Sequence, residues 1–371
     1  MPLTYRQRRR LEDTLWSVLF FIIGVNLYSM IRFWEAEGYP ASELLADAIT
    51  ATIGGLLGGL LLPQIHAQIW GRTGHRRPFG LLILWATLTD LLLIVSIFVP
   101  VTTASGVWFF ERSWADSLAY NLDYMTTLPF LGLVIYLLML SALYNFVWQV
   151  SKKFGRGVLR GMLLGRYHQP RETERIVMFL DLKGSTTIAE QLGHIRYSRL
   201  IQDCFFDLNL MLLPYEAQIY KYVGDEAILS WSLAAGTRRA NCLAIYYGFH
   251  QRLERRRAWY EAEYGLLPTF KAGLNAGPIT VAEVGDDRRE IEFHGDVLNT
   301  AARIQGQCNA LGKSLLLSRH LWGLLGEAEG FALEPIGTIE LKGKTQKVPI
   351  FACELREDRS YDPGLAKEFS Q

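Results

Sequence analysis

Two aspartates stand where short apolar runs end. Asp181 closes the run in IVMFLDLKGST (residues 176–186), and Asp225 closes the run in KYVGDE (residues 221–226). Strand ends can meet on one face of a sheet, and Mg²⁺ usually takes one or two carboxylates together with substrate phosphates. The pair therefore predicts a site for a metal-bound nucleoside triphosphate. The alternative is that each aspartate caps a following helix, and the pair alone does not decide between the two.

The turn after the first aspartate supports an anion site. It contains Gly184, Ser185 and Thr186, directly before a predicted helix. Backbone N–H groups at such a turn and at a helix N-terminus bind phosphate oxygens.

A second polar cluster lies in HGDVLNTAAR (residues 294–303). Asn299 and Arg303 are four residues apart, so on a helix they share a face. An amide beside a guanidinium suits a ribose-linked oxygen and a phosphate, although such a pair alone is more often plain helix surface. Lys342 and Lys344 flank a glycine in a predicted turn, which alone is a weak signal.

The second half of the chain alternates helical and strand patterns. Predicted strands lie at 175–181, 217–222, 226–231, 270–275, 279–284, 290–293, 314–317, 331–341 and 348–354, and predicted helices at 188–213, 236–264, 297–308 and 319–325. Two strand pairs are expected to turn at Gly224 and at Gly277-Pro278. This order predicts an α+β sandwich of the βαββαβ, ferredoxin-like type.

The first half of the chain predicts a membrane region. A membrane span needs about 20 mostly apolar residues, and residues 15–33, 44–63, 79–99 and 124–150 qualify. The first is too long for a signal peptide. We therefore predict four domains or segments: a four-span region at 1–150, a linker at 151–173, a catalytic domain at 174–357 and a tail at 358–371.

Basic residues indicate the orientation of the spans, because they concentrate in cytoplasmic segments. They cluster before span one, between spans two and three, and after span four, at Arg6, Arg8, Arg9, Arg10, Arg72, Arg76, Arg77, Lys152, Lys153, Arg156 and Arg160. The other two loops are mainly acidic. We predict a multi-pass protein of the inner (plasma) membrane, in contact with membrane lipid, with both termini cytoplasmic.

Two features inside the spans admit two interpretations each. The glycine pairs of span two, Gly54/Gly58 and Gly55/Gly59, form either a dimer seam or contacts within one bundle. Asp90 in span three either takes part in sensing or hydrogen-bonds a neighbour such as Thr87, Thr89 or another helix, and the structural role is favoured. His66 and His75 do not make a haem or metal site.

The linker at 151–175 has apolar residues at helical spacing among basic ones, and Pro170 is expected to end it. It either relays motion from the membrane or serves as a solvated tether.

A net charge of +1 implies no nucleic-acid partner. The four cysteines lack metal-ligand spacing and are predicted to be reduced thiols.

Residues 175–354 resemble the class III nucleotide cyclase catalytic domain. The resemblance rests on FLDLKGST, KYVGDE, FKAGLNAG, FHGDVLNTAARIQ and LKGK in this order. It implies two Mg²⁺ or Mn²⁺ ions held by Asp181, Asp225 and the Leu182 carbonyl. It further implies a ribose and transition-state pair at Asn299 and Arg303, adenine reading at Lys221, and phosphate contacts from Lys271 and from Lys344, less securely Lys342.

One position departs from the family pattern. The second purine-reading position usually holds Asp, Thr or Ser, and here it holds Glu292. Its carboxylate can still accept a hydrogen bond from the adenine amino group, but it is one methylene longer. This departure concerns nucleotide specificity rather than the chemistry.

The resemblance implies a homodimer with active sites at the subunit interface, converting ATP to cyclic AMP. A membrane-bound adenylate cyclase, regulated by an unknown signal or ligand at its spans, is the first hypothesis. A guanylate or mixed-purine cyclase and a catalytically inert nucleotide-binding receptor are the alternatives, and a transporter is a distant fourth.

Overall fold

The computed structural model describes residues 5–35, 41–70, 78–154, 161–162, 164–287, 289–326, 328–340 and 347–356. The chain divides into two compact units, Met1–Val158 and Leu159–Gln371.

The first unit is built from long apolar helices. Its described helices are α1 (Tyr5–Glu35), α2 (Ala41–Trp70), α3 (Phe79–Phe110), α4 (Trp114–Tyr124) and α5 (Leu128–Phe154). Four of them contain segments long and apolar enough to cross a membrane, at Leu11–Trp34, Glu43–His66, Gly80–Phe110 and Leu128–Ser151. The four predicted spans are therefore confirmed as helices of spanning length.

Two of these helices continue past a proline that lies at or next to the predicted end of the span. The predicted ends were residues 63 and 99. α2 continues through Pro63 to Trp70, and α3 continues through Pro100 to Phe110. Neighbouring groups in a membrane bundle can satisfy the backbone carbonyl that a proline leaves without its donor.

The prediction missed α4, and for this reason it began the fourth span too early. Ser113 caps α4, because its hydroxyl accepts a hydrogen bond from the Asp116 backbone N–H at 3.1 Å. The fourth span begins at Leu128 and not at residue 124.

The glycines of α2 divide between two faces. A Cβ on Gly59 would lie 2.4 Å from the Val18 Cα, and one on Gly55 would lie 2.8 Å from the Ile22 Cα. A Cβ on Gly54 or Gly58 would meet no atom within 4 Å. Gly55 and Gly59 therefore let α1 and α2 approach closely within one chain, which supports the interpretation as packing inside the bundle for that pair.

We expect Gly59→Ala to destabilise the first unit and Gly58→Ala to leave it nearly unchanged. The methyl group of an alanine at position 59 would overlap the α1 backbone. Overpacking of this kind costs roughly 1–3 kcal/mol. Thermal unfolding of the detergent-solubilised protein measures the difference between these adjacent, chemically identical substitutions. Equal melting temperatures for the two variants would contradict the close contact at Gly59.

Asp90 is fully buried and hydrogen-bonded to two neighbouring helices. Its Oδ1 lies 2.6 Å from His66 Nε2 on α2. Its Oδ2 accepts hydrogen bonds from Ser141 Oγ at 2.7 Å and from Asn145 Nδ2 at 2.6 Å, both on α5. These contacts support the structural role that the sequence favoured.

The second unit is a mixed sheet with helices on both faces. Its described elements, besides a 3₁₀ turn at Arg238–Ala240, are β1 (Arg171–Leu182), α6 (Ser185–Leu212), β2 (Gln218–Val223), β3 (Glu226–Ser232), α7 (Leu233–Thr237), α8 (Asn241–Arg255), α9 (Arg257–Tyr264), β4 (Phe270–Val284), β5 (Glu290–His294), α10 (Asp296–Gly306), β6 (Leu315–Ser318), α11 (Arg319–Leu325), β7 (Phe331–Glu340) and β8 (Lys347–Leu355).

The sheet order is β2-β3-β1-β4-β6-β8-β7, and β5 pairs with β4 beside this path. The part β2-β3-β1-β4, with its helical crossovers, is the predicted βαββαβ arrangement, which is confirmed. β1 is buried on both faces. Ile176 and Met178 join the larger core with Trp231, whereas Val177 packs on the opposite face against Val297 of α10.

Two predictions for this unit, a hairpin and a long helix, were wrong. The expected hairpin at Gly277-Pro278 is one continuous strand, β4, which pairs with the whole of β1. Gly277 has φ of 149°, a conformation that glycine adopts easily, so the chain stays extended there. The expected helix at 236–264 is broken into several pieces, because Arg239 and Ala240 have left-handed φ values of 50° and 52°.

The first strand of the second unit begins earlier than predicted. β1 begins at Arg171, directly after Pro170, and not at residue 175. Part of the predicted linker, residues 155–160 and 163, lies outside the described residues.

The four cysteines, all in the second unit, are buried and free, as predicted.

Candidate active site

The sheet brings the two sequence-predicted aspartates together. Asp181 lies near the end of β1 and pairs in register with Glu226 of β3, and Asp225 immediately precedes that glutamate. Burial, and to a smaller extent the neighbouring Asp225 charge, raise the pKa of Asp181 above its ordinary value. Two carboxylates whose charges repel in this way favour a positively charged partner.

Asp181 has two cationic or polar neighbours from other elements. Gln305 of α10 donates a hydrogen bond from Nε2 to Asp181 Oδ2 at 2.8 Å. The Lys271 ammonium, on β4, lies 3.2 Å from the same oxygen. Lys271 was expected on the phosphate side of the site, and it lies against the candidate metal-binding carboxylate.

The carboxylate of Asp225 is incompletely satisfied. Its Oδ2 is buried and has no hydrogen-bond partner. A buried carboxylate oxygen without a partner is costly unless an ion or a donor completes it. Within the described ranges, no group of three or more His, Cys, Asp or Glu side chains is arranged to hold a metal. Two carboxylates that leave positions for substrate phosphates are nevertheless the usual Mg²⁺ arrangement, so the residues fit such an ion.

Glu226 is a site residue that the sequence reasoning missed. Burial raises the pKa of Glu226 to about 7, with further contributions from Asp181 and Asp225. Its position opposite Asp181 follows from the β1–β3 register, which cannot be read from the local sequence. The site therefore contains three carboxyl groups and one ammonium.

We expect Glu226→Gln to stabilise the metal-free protein at neutral pH and to have little effect in acid. The folded-state pKa of about 7 exceeds the ordinary 4.5, so the folded protein holds a proton that the unfolded chain releases in this window. Stability of the parent protein therefore falls as pH rises from about 4.5 to about 7, whereas glutamine does not titrate. Melting temperatures in EDTA should diverge across this range. A difference that is constant with pH would contradict the raised pKa.

Tyr197 of α6 is a second residue that the sequence did not reveal. Burial, together with the adjacent Asp225 carboxylate, raises the pKa of Tyr197 to about 12, while a contact from Ser185 opposes the shift. No local motif marks this tyrosine, because the folding of α6 over the strand ends brings it there. Its hydroxyl stays protonated and can donate to the carboxylate.

The predicted anion turn has the expected backbone form. Gly184 adopts a left-handed φ of 68° and caps α6, which begins at Ser185. This conformation favours glycine. The first N–H groups of α6, at Ser185 and Thr186, have no partner within the helix and can bind an anion.

Lys221 and Glu292 lie side by side on β2 and β5. The Lys221 ammonium is 2.7 Å from Glu292 Oε1 and 3.3 Å from Glu290 Oε2. The Tyr220 hydroxyl donates a hydrogen bond to Glu292 Oε2. The Tyr220 ring stacks on Phe293, with ring centroids 4.1 Å apart. The hydrogen bond from Lys221, and to a smaller extent the one from Tyr220, lower the pKa of Glu292. This carboxylate therefore stays charged. The fold thus joins the two sequence-predicted base-reading residues.

α10 presents Asn299 and Arg303 one turn apart. Asn299 is exposed and Arg303 is half-buried. The helix lies very close to β4, since a Cβ on Gly273 would be 2.2 Å from the Gln305 backbone nitrogen. This close approach explains the glycine in FKAGLNAG. Lys342 and Lys344 lie outside the described residues.

Comparisons with known proteins identify the family. The family model for the adenylate and guanylate cyclase catalytic domain matches residues 168–353, half of the chain. The chain belongs to the class III adenylate and guanylate cyclase family. Adenylate cyclase 2 of Rhizobium meliloti is 33% identical over 240 residues, which cover 64% of this chain and 66% of the relative.

Other class III cyclases match more distantly. Guanylate cyclase 2G of Mus musculus is 22% identical over 193 residues, covering 50% of this chain and 17% of the relative. A bacterial light-regulated adenylyl cyclase superposes with a TM-score of 0.50 at 18% identity, covering 62% of this chain and 66% of that chain, which supports the fold alone. The chain spans less than two thirds of the length of each of these three proteins.

Proposed function

We propose that this cyclase is a membrane-bound adenylate cyclase that converts ATP to 3′,5′-cyclic AMP and pyrophosphate. The observation that carries this proposal is the proximity of Asp181 to Asp225, whose buried Oδ2 has no hydrogen-bond partner. The Lys221–Glu292 pair adds the base preference. The similarity to adenylate cyclase 2 of Rhizobium meliloti agrees with this choice.

The base preference follows from the polarity of the Lys221–Glu292 pair. Adenine carries an amino donor where guanine carries a carbonyl acceptor. Glu292 would accept a hydrogen bond from that amino group, and Lys221 would donate to a ring nitrogen. To bind, the base must replace the present contact between these two side chains with contacts of its own.

A guanylate or mixed-purine cyclase is the second candidate. Glu292 is longer than the Asp, Thr or Ser usual at its position, and the relatives include guanylate cyclases. A looser pocket would admit guanine beside the same Lys221. The test of base preference therefore compares both nucleotides.

Asp181, Asp225 and the Leu182 carbonyl would hold two Mg²⁺ or Mn²⁺ ions. Such ions, when bound, lower the pKa of the ribose 3′-hydroxyl and neutralise the triphosphate. Lys271 already balances part of the charge on Asp181. The N–H groups of Ser185 and Thr186, at the Gly184 turn, would bind phosphate oxygens.

The reaction is an intramolecular displacement. The 3′-hydroxyl releases its proton to solvent, its oxygen bonds to the α-phosphorus, and the bond from that phosphorus to the bridging oxygen breaks to release pyrophosphate. Arg303 stabilises the charge that develops on the α-phosphate, and Asn299 holds the ribose for in-line attack. We expect Lys344 to bind the triphosphate, and Lys271, which lies beside Asp181, to bind the phosphates nearest that carboxylate.

The active site requires two copies of the chain. One copy supplies Asp181 and Asp225, and the other supplies Lys221, Glu292, Asn299 and Arg303. Because each chain carries both sets, a twofold homodimer contains two equivalent sites. We further propose that both termini lie in the cytoplasm of an inner-membrane protein whose spans regulate the cyclase.

We expect Lys221→Ala to lower kcat/KM for ATP by about 10–100-fold and to reduce the preference for ATP over GTP. A lost hydrogen bond from a charged group costs roughly 1.5–3 kcal/mol. Lys313→Ala is the matched control, because Lys313 also pairs with two glutamates, Glu334 and Glu354, at 2.7 and 2.9 Å. An unchanged ATP-to-GTP ratio in Lys221→Ala would refute the base-reading role.

A further inference from the structure

The first unit contains a cavity of about 340 Å³ between its described helices. This volume is at the lower end of the range of about 300–1,000 Å³ that small-ligand pockets occupy. Residues of α1, α2, α3, α4 and α5 line it.

The cavity changes from apolar to polar along its length. Its deep part, at the middle of the spans, is lined by Phe21, Ile94 and Leu137. A middle level carries hydroxyl groups, where Thr50 of α2 donates to Ser105 of α3 at 2.6 Å. Such a gradient suits a molecule with an apolar body and a polar head.

The mouth of the cavity carries charges of both signs. Glu43 and Asp47 lie one turn apart on α2, and Arg32 of α1 and Arg112 after α3 line the same opening. The two guanidinium groups lie against aromatic rings. Arg32 donates to the Tyr124 hydroxyl at 2.9 Å, and Arg112 lies 4.1 Å from the Tyr120 ring centroid.

A head with a single charge would meet a like charge at this mouth, whichever sign it had. Like charges brought together at a binding surface disfavour that ligand. A head with one cationic and one anionic group would meet an opposite charge from each pair. The four formal charges at the mouth sum to zero, so a dipolar head also leaves no net charge buried.

We propose that the first unit binds a small single-chain zwitterion, with its apolar body in the cavity and its dipolar head at the mouth. The volume leaves no room for both chains of a bilayer phospholipid. With the predicted topology this mouth lies outside the cytoplasm, where α1 ends and α2 begins. The site goes beyond the cyclase activity and does not depend on it.

Photolabelling of the full chain in phosphatidylcholine nanodiscs tests the proposal. The probe is a single alkyl chain with a terminal diazirine and a phosphocholine head. Two companion probes carry the same chain with a carboxylate or a trimethylammonium head. We expect saturable labelling of residues in the deep part by the zwitterionic probe, and labelling by either singly charged probe that is at least about fivefold weaker.

Glycine variants provide matched controls. A Cβ on Gly54, Gly58 or Gly132 would meet no atom within 4 Å, but only Gly54 and Gly58 line the cavity. Gly54→Leu and Gly58→Leu should each reduce labelling by about tenfold or more, and Gly132→Leu should leave it unchanged. Glu43→Gln combined with Asp47→Asn should shift the preference to the carboxylate probe.

Several results would overturn the site. They are non-saturable labelling, equal labelling of Gly58→Leu and the parent chain, loss of labelling in nanodiscs compared with detergent, or stronger labelling by a singly charged probe. The variant Asp225→Ala, which we expect to be inactive, should be labelled like the parent chain. Failure of this site and failure of the proposed cyclase activity are therefore separate outcomes.

Discussion

Asp225→Ala is expected to abolish cyclic nucleotide formation, with a loss of at least about 10³-fold in turnover. The metal ions that Asp225 would help to hold supply several kcal/mol of stabilisation, and each 1.36 kcal/mol changes the rate about tenfold. Saturating Mn²⁺ should not restore the activity, because the variant lacks a ligand rather than a fraction of its metal.

The same substitution should not unfold the protein. Asp225 Oδ2 makes no hydrogen bond, and its charge raises the pKa of Asp181. Removing that charge relieves repulsion but also removes the contact with Tyr197, so the melting temperature in EDTA should change little. Asp286→Ala is the control, because its side chain is a fully exposed carboxylate outside the site. Near-normal turnover in Asp225→Ala would refute the metal-binding role.

Arg303→Ala is expected to reduce turnover by about 10²–10³-fold, the scale of one lost transition-state contact. Arg303 and Asp225 would act in the same site from different copies of the chain. A mixture of Arg303→Ala and Asp225→Ala chains should therefore regain activity that neither variant has alone. A mixed dimer has one site with both substitutions and one site with neither.

The expected recovery can be stated. If chains assort at random, about half of the dimers are mixed and each has one intact site, so about a quarter of the parent activity should return. Co-expression with two different affinity tags, followed by tandem purification, isolates the mixed dimer. The double variant, with both substitutions in one chain, is the control. No recovery in a purified mixed dimer would mean that each site is built from one chain.

The sequence predicted the site best where chemistry and local structure coincide. Asp181 and Asp225 end apolar runs, and strand pairing can bring such ends together, so the pattern predicted a shared site that the fold does assemble. Glu226 and Tyr197 are different, because their proximity to the aspartates depends on sheet register and on the path of α6. Neither is marked by residues nearby in sequence.

The errors in the fold arose where a local pattern did not decide the backbone conformation. Gly277-Pro278 has the composition of a turn, but pairing along the whole length of β1 keeps β4 extended. There tertiary contacts overrode a local preference, as they commonly do. Residues 236–264 have a helical pattern, but the left-handed backbone at Arg239 and Ala240 interrupts the helix.

The most direct test of the central claim is the product that the purified full chain forms in nanodiscs. ATP and GTP are supplied separately and then together with Mn²⁺, and cyclic nucleotides are identified by mass spectrometry. The account predicts cyclic AMP from ATP, with pyrophosphate in equal amount, and a clear preference for ATP in the mixture. Cyclic GMP as the main product, or no cyclic product from a chain confirmed to be dimeric, would contradict it.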